Sequence, residues 1–221
     1  LSTFVHEQSF PSVLDFGFQR YGLAFARTDG QIPRLVDLFN QDDLYTTSTQ
    51  SVYGIPTFLG NHDMGRVGYF IHSATYGDDD LTLRRSKLAN EVLFFSRGAP
   101  VLYYGDEKGM VGTGGDKAAR QDMFPTGVLE WQDEIRIGST PIGTKSAFDV
   151  VNPLQLQITE INKLIAQNPA LRKGTQQLRA TSRNSIAFSR YLDGQEYLVV
   201  LNSGDESDSL DAPVSIQSSW E

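Results

Sequence analysis

The residues best able to do chemistry sit together in Gly60-Asn61-His62-Asp63-Met64-Gly65-Arg66. An amide, an imidazole, a carboxylate and a guanidinium in one short stretch can donate, accept and carry charge of both signs within a single pocket. Asp63 is the group that could ionise there, with Asn61, His62 and Arg66 placed to hold it. Plainer readings compete. A strand-end Asp often does no more than cap a turn, and a lone His is often a buried side chain with its ring nitrogens satisfied.

Such a stretch is useful only if something rigid presents it. Just before it, Ile55-Pro56-Thr57-Phe58-Leu59 is apolar and reads as a buried strand within a run starting at Tyr53. A second stretch, Gly98-Ala99-Pro100-Val101-Leu102-Tyr103-Tyr104-Gly105-Asp106-Glu107, repeats the plan of an apolar strand with a polar, Gly-containing end. Strands that are apolar along their length and polar at the C-terminal lip are how α/β barrels build active sites. Of Tyr103 and Tyr104, one must face the core while the other could stack on a ligand.

The rest of the chain supplies elements around these two strands. Ser12-Val13-Leu14-Asp15-Phe16 reads as an earlier strand, and Gly17 and Gly22 are expected to interrupt regular structure directly after it. Ile32, Leu35, Val36, Leu38 and Phe39 recur at helical spacing. Between the two later strands, Leu81, Leu83, Leu88, Val92, Phe94 and Phe95 form one helix face. Asp78-Asp79-Asp80 would cap its start and Gly98 its end. Strands alternating with helices imply a parallel α/β sheet. Residues 105–152 read as a long Gly-rich loop, of the kind that often carries function. Leu154, Ile158, Ile161, Leu164 and Ile165 mark one more helix, stopped near Asn168-Pro169. From Thr175 the period becomes two, with a hairpin turning at Asp193-Gly194 and a last strand from Pro213 to Trp220. A boundary near Gly174 divides residues 1–173 from 174–221.

Bulk composition narrows the function classes. The 221 residues are 39% hydrophobic and carry a formal net charge of -8. That balance argues against nucleic acid and anionic membranes as partners and suits a neutral substrate. No apolar run approaches the ~20 residues a membrane span needs. The absence of Cys excludes disulfides, zinc-thiolate sites and thiol catalysis. With only His6, His62 and His72, a polyhistidine metal centre is not expected. The chain opens at Leu1 without a Met or a signal-like segment and reads as an internal piece of a longer protein.

Taken as an ordered pair with a helix between them, Gly60-Asn61-His62-Asp63 and Gly98-Ala99-Pro100-Val101-Leu102-Tyr103-Tyr104-Gly105-Asp106-Glu107 resemble the alpha-amylase family of glycoside hydrolases. The resemblance implies an α/β fold: strands six to eight of a (β/α)8 TIM barrel, with helix 154–165 as the last barrel helix, followed by part of an antiparallel β domain. It implies retaining cleavage or transfer at α-glucosidic bonds. Asp63 matches the family's third carboxylate, which holds sugar hydroxyls and stabilises positive charge at the anomeric centre. His62 matches a residue that hydrogen-bonds the same sugar. In Gly114-Gly115-Asp116-Lys117-Ala118-Ala119-Arg120 the resemblance assigns Asp116 and Arg120 to the next sugar along. Their spacing fits a simple salt bridge equally well. Asn61 and Arg66 are expected only to orient Asp63 and His62 through hydrogen bonds, and Glu107 to stand behind the residues that meet substrate.

The family's nucleophile and general acid come from strands four and five, which this sequence does not contain. Glu7 lacks the motif context of the acid and reads as a loop residue. No cofactor is expected within these residues; calcium is possible in an intact parent, through the family's usual calcium-binding domain. The implied partner is an α-glucan oligo- or polysaccharide such as starch or maltodextrin. A secreted or periplasmic parent is favoured. Rival readings are a homologue that binds glycans without cleaving them, and a glucanotransferase or isomerase on the same barrel. Three strands without their neighbours would leave open edges near residues 13–16 and 99–104, which invite self-association.

Overall fold

In the computed structural model, which describes residues 2–8, 10–28 and 31–214, three chain segments run parallel side by side. Asp15 bridges to Thr57, and β1 (Pro56–Thr57) pairs with β2 (Ala99–Pro100). The Asp15 N–H donates to the Pro56 carbonyl at 3.0 Å, Ala99 N–H to Ile55 at 2.8 Å and Val101 N–H to Thr57 at 2.7 Å. The expected strands near 12–16, 53–59 and 99–104 are present in order but reduced to these residues. Pro56, whose carbonyl accepts from Asp15, has no N–H to donate back to that segment, which shortens this pairing. Residues 52–54 form a 3₁₀ turn instead of the start of a strand.

Helices pack around the parallel segments. α1 (Ser2–His6) had no signal in the sequence. α2 (Phe16–Arg27) starts where the Asp15 carboxylate accepts from the Phe18 N–H at 2.8 Å. Gly17 and Gly22 do not break it, contrary to expectation. A Cβ on Gly22 would lie 3.1 Å from Leu59 and 3.4 Å from Phe18 and Val92, so the glycine admits close packing on the strand. That packing outweighs its low helix propensity. α3 (Ile32–Phe39) lies where its periodicity places it. α4 (Val67–Ala74) comes after the Arg66 turn and was not foreseen.

α5 (Asp79–Phe95) begins with the Asp78 carboxylate accepting from the Leu81 N–H at 2.9 Å, as expected. It ends at Ser96 in extended backbone, not at a glycine cap. Gly98 has a different task. Its φ is 108° and a Cβ there would sit 2.4 Å from the Thr57 methyl, so only glycine lets β2 lie against β1.

Residues 105–152 are mainly loop, with 3₁₀ turns at 106–108, 116–119 and 147–149 and the short α6 (Leu129–Gln132). α7 (Pro153–Gln167) is capped by Asn152, and α8 (Pro169–Lys173) starts at the proline expected only to stop its predecessor. β3 (Thr175–Thr181), β4 (Ser185–Leu192) and β5 (Gln195–Asn202) then form an antiparallel sheet in that order. Asp193 and Gly194, with φ of 50° and 84°, make the tight hairpin turn. Pro213 and Val214 are not in a strand, and the rest of the strand expected to reach Trp220 lies outside the described residues.

One apolar cluster joins the layers. Phe18, Phe25, Leu35, Ile71 and Val92 from the helices meet Ile186, Phe188 and Leu201 from the sheet. Arg190 of β4 reinforces the seam by donating to the carbonyls of Phe95 at 2.8 Å, Ser96 at 3.0 Å and Gly174 at 3.2 Å.

Candidate active site

The turn after β1 is closed by its own backbone. Asn61 and Gly65 exchange N–H···O bonds of 3.1 Å in both directions. The Asn61 carboxamide oxygen accepts from the Asp63 N–H at 2.9 Å and the Met64 N–H at 2.8 Å. Asn61 therefore orients its neighbours through the main chain, leaving the His62 and Asp63 side chains directed outward. His62 is 57% exposed and Asp63 70%, which excludes the buried-histidine reading.

The loop carrying Asp116 and Arg120 comes down beside this turn. The Asp116 N–H donates to the Asp63 carbonyl at 3.2 Å. A Cβ on Gly115 would lie 2.5 Å from that same carbonyl, so the approach depends on glycine. The Arg120 Nη2 stands 2.7 Å from the Asp116 carboxylate and 3.6 Å from that of Asp63. The His62 Nε2 lies 3.3 Å from the same Asp63 oxygen. All four of these residues are thus brought together on an open polar crest. The Asp116–Arg120 salt bridge forms, and it reaches on to Asp63. Asp116 sits at φ 49°, a left-handed conformation that Asp tolerates better than most residues.

Arg66 does not touch His62 or Asp63, contrary to the hydrogen-bonding role expected of it. Its guanidinium is fully buried beneath them. There Nε donates to Gln121 Oε1 at 2.6 Å, and Nη1 donates to the Tyr104 carbonyl at 2.6 Å and to Asp106 at 3.0 Å. It lies 4.7 Å from the Tyr103 ring centre and 5.1 Å from that of Tyr104. Burial pushes the Asp106 carboxyl up to about 7 even though Arg66 opposes the shift. Burial likewise raises the Tyr103 phenol to about 12. The two tyrosines hold the neighbouring loop, with hydroxyls donating to the carbonyls of Ala119 at 2.9 Å and Gln121 at 3.0 Å. Glu107 accepts from the Gly105 N–H at 2.8 Å and so braces its own turn.

Asp106, Gln121 and Glu134 belong to this layer and were not singled out from sequence. For Asp106 a signal existed, since a carboxylate at a strand end beside an apolar run needs a cation. Gln121 and Glu134 gave none, because nothing local marks a residue whose partners are remote in the chain. Among the described residues no three or more His, Asp or Glu side chains cluster as a metal site would require.

A crest of ionisable groups at the C-terminal ends of parallel strands is where (β/α)8 enzymes of many chemistries place their active sites. The family model described as "Alpha amylase, catalytic domain" matches residues 1–181. An alpha-amylase of Streptomyces lividans is 41% identical over 205 residues, covering 90% of this chain and 22% of that protein. The alpha-amylase of Geobacillus thermoleovorans, solved with acarbose, superposes with a TM-score of 0.70 at 18% identity, over 93% of this chain and 40% of that one. The cyclic alpha-maltosyl-(1→6)-maltose hydrolase of Arthrobacter globiformis, solved with maltose, gives 0.62 at 21% identity, over 91% and 39%. This chain belongs to the alpha-amylase family of glycoside hydrolases. It spans about a fifth of the Streptomyces relative's length, and its fold is that of part of a catalytic domain.

Proposed function

We propose that the chain forms strands six to eight of the catalytic (β/α)8 barrel, and from about Gly174 the start of the next β domain, in an enzyme acting with retention on starch or maltodextrins. The single observation that carries this reading is the convergence on the Asp63 carboxylate of His62 at 3.3 Å and Arg120 at 3.6 Å, beside Asp116. Asp63 holds hydroxyls of the distorted sugar and offsets charge developing at its anomeric carbon. His62 hydrogen-bonds the same ring, while Asp116 and Arg120 grip the next sugar. The nucleophile and the acid/base carboxyl, ~5–5.5 Å apart in retaining enzymes, come from strands four and five on this reading. The polypeptide of residues 1–221 alone should then show no turnover.

The test is Asp63→Asn in the full-length enzyme, assayed on maltooligosaccharides. Charge stabilisation made mainly in the transition state lowers kcat far more than it weakens binding. A kcat loss on the order of 10²–10³ is expected. A variant that keeps most of its kcat removes Asp63 from the catalytic machinery. A glycan-binding homologue without activity would give binding by calorimetry and no products from the unaltered protein.

A further inference from the structure

Resting on that reading, we infer that Gln121 is a positioning residue: it sets the Asp116–Arg120 loop against the Asp63 turn by bridging Arg66 to Glu134. Arg66 lies just after Asp63 in the chain, and Gln121 is the residue next to Arg120. Their side chains meet below the crest, where Arg66 is fully buried and Gln121 is 1% exposed. The Gln121 oxygen accepts from Arg66 Nε at 2.6 Å, and its Nε2 donates to Glu134 Oε1 at 2.6 Å. The other Glu134 oxygen lies 3.0 Å from Arg136 Nη1. Charge alternates along this line: guanidinium, amide dipole, carboxylate, guanidinium.

Only an amide satisfies the central position. A carboxylate there would suit Arg66 but face Glu134, and an ammonium would suit Glu134 but face Arg66. The flipped amide would turn its N–H groups on Arg66 and its oxygen on Glu134, so the two neighbours fix its orientation as well as its identity. The two hydrogen bonds of Gln121 are buried and so are costly to lose, whereas Glu134 meets Arg136 beyond them as an ion pair without a hydrogen bond. The main chain of the same loop is held at Ala119 and Gln121 by the two tyrosine hydroxyls. Gln121 is the side-chain link of the loop to the Arg66 layer, and Arg120 beside it cannot shift without disturbing it. Among the described residues, the partners of the Gln121 and Glu134 side chains are one another, Arg66 and Arg136 and none of the crest side chains, so the effect of Gln121 on substrate passes through the placement of Arg120.

The experiment uses the full-length enzyme and a series of maltooligosaccharides. Gln121→Met keeps length and removes both hydrogen bonds. KM should rise on the order of tenfold, about one lost binding contact, with a smaller change in kcat. In an Arg120→Ala background the same substitution should change KM less than twofold, because its route is already cut. Gln121→Glu keeps the acceptor for Arg66 and sets a carboxyl against Glu134. Its KM should exceed that of the unaltered enzyme at pH 8 and return toward it near pH 5, where one shared proton restores the donor.

Unchanged KM in folded Gln121→Met, or an equal rise with and without Arg120, overturns the inference. If Gln121→Met does not fold, Gln121→Glu decides, and a KM ratio to the unaltered enzyme that is flat with pH overturns it. The Asp63→Asn control separates the two claims. Retained kcat in that control fails the catalytic reading, whereas its loss alongside unmoved Gln121 variants fails only the positioning role.

Discussion

Arg66 and Arg97 are both fully buried and each lies against two aromatic rings, yet they serve different regions. Arg97 lies 5.8 Å from the Phe18 ring centre and 5.5 Å from that of Phe39, and Arg66 lies against Tyr103 and Tyr104. Arg97 meets two carboxylates, Asp15 at 2.6 Å and Asp42 at 2.8 Å. Its own N–H donates to Gln176 of β3 at 2.8 Å. It thus joins the start of α2, the end of the α5–β2 connection and the antiparallel sheet. Arg66 meets one carboxylate, Asp106, and otherwise a carbonyl and an amide. The first arginine is a fastening between layers of the fold. The second is a floor under the site, built with fewer charges and more neutral acceptors.

This difference sets the largest expected effect. Arg97→Met would leave the Asp15 carboxylate, 1% exposed, without its cation. Breaking a buried pair by removing one partner costs about 3–5 kcal/mol. Arg66→Met removes hydrogen bonds to neutral groups and leaves Asp106, which burial already inclines to take up a proton. Its cost should be smaller, about 1–3 kcal/mol. Chemical denaturation of the two full-length variants checks the order. A costlier loss at Arg66 would mean that the site layer, not the Arg97 junction, holds the fold together.

Acidification acts on both centres in the same direction. Burial raises the Asp106 carboxyl to about 7, and burial likewise raises that of Asp42 to about 6, with the nearby arginine opposing each shift. A carboxyl raised in the folded state binds its proton more tightly there than in the unfolded chain. The stability it contributes is complete below its ordinary value near 3.8 and is lost as pH rises to about 6 for Asp42 and about 7 for Asp106. Each group adds a slope of at most about 1.4 kcal/mol per pH unit inside its window. Asp106→Asn should flatten the upper part, between about pH 6 and 7, and Asp42→Asn should not. Denaturation midpoints measured across pH 4 to 8 test this. An Asp106→Asn profile that overlays the unaltered protein would show that Asp106 does not titrate there.

How far the sequence reached depends on how local each cause is. The helices at 32–39 and 79–95 and the 185–202 hairpin were legible because periodicity, the Asp78 cap and the Asp193-Gly194 turn act within a few residues. α2 was missed because the role of Gly22 depends on Leu59 and Val92, which come from other elements. The end of α5 was misplaced because Gly98 answers to Thr57 across the sheet, not to the helix before it. At the site, Asn61, His62, Asp63, Asp116 and Arg120 stood out through a family resemblance that the match over residues 1–181 supports. Arg66 was picked out but assigned the wrong contacts. Its true partners, Tyr104, Asp106 and Gln121, lie 38, 40 and 55 positions further along the chain.

The smallest effect belongs to the crest, where the salt-bridge and sugar-gripping readings of Asp116 and Arg120 part. Exposed pairs contribute about 0–1 kcal/mol to stability, so Arg120→Ala should leave the denaturation midpoint almost unmoved. Asp116→Asn is the better partner substitution, since Asn tolerates the left-handed backbone at φ 49° whereas Ala would add strain. If the pair grips a sugar remote from the cleaved bond, its binding is largely uniform between ground and transition states. KM should then rise severalfold in both variants with kcat nearly constant. The rise should be greater for a maltooligosaccharide long enough to reach the second sugar site than for one that cannot. Kinetics on short and long substrates decide the matter. Equal KM values for variant and unaltered enzyme on both would leave the 2.7 Å contact as a surface salt bridge and nothing more.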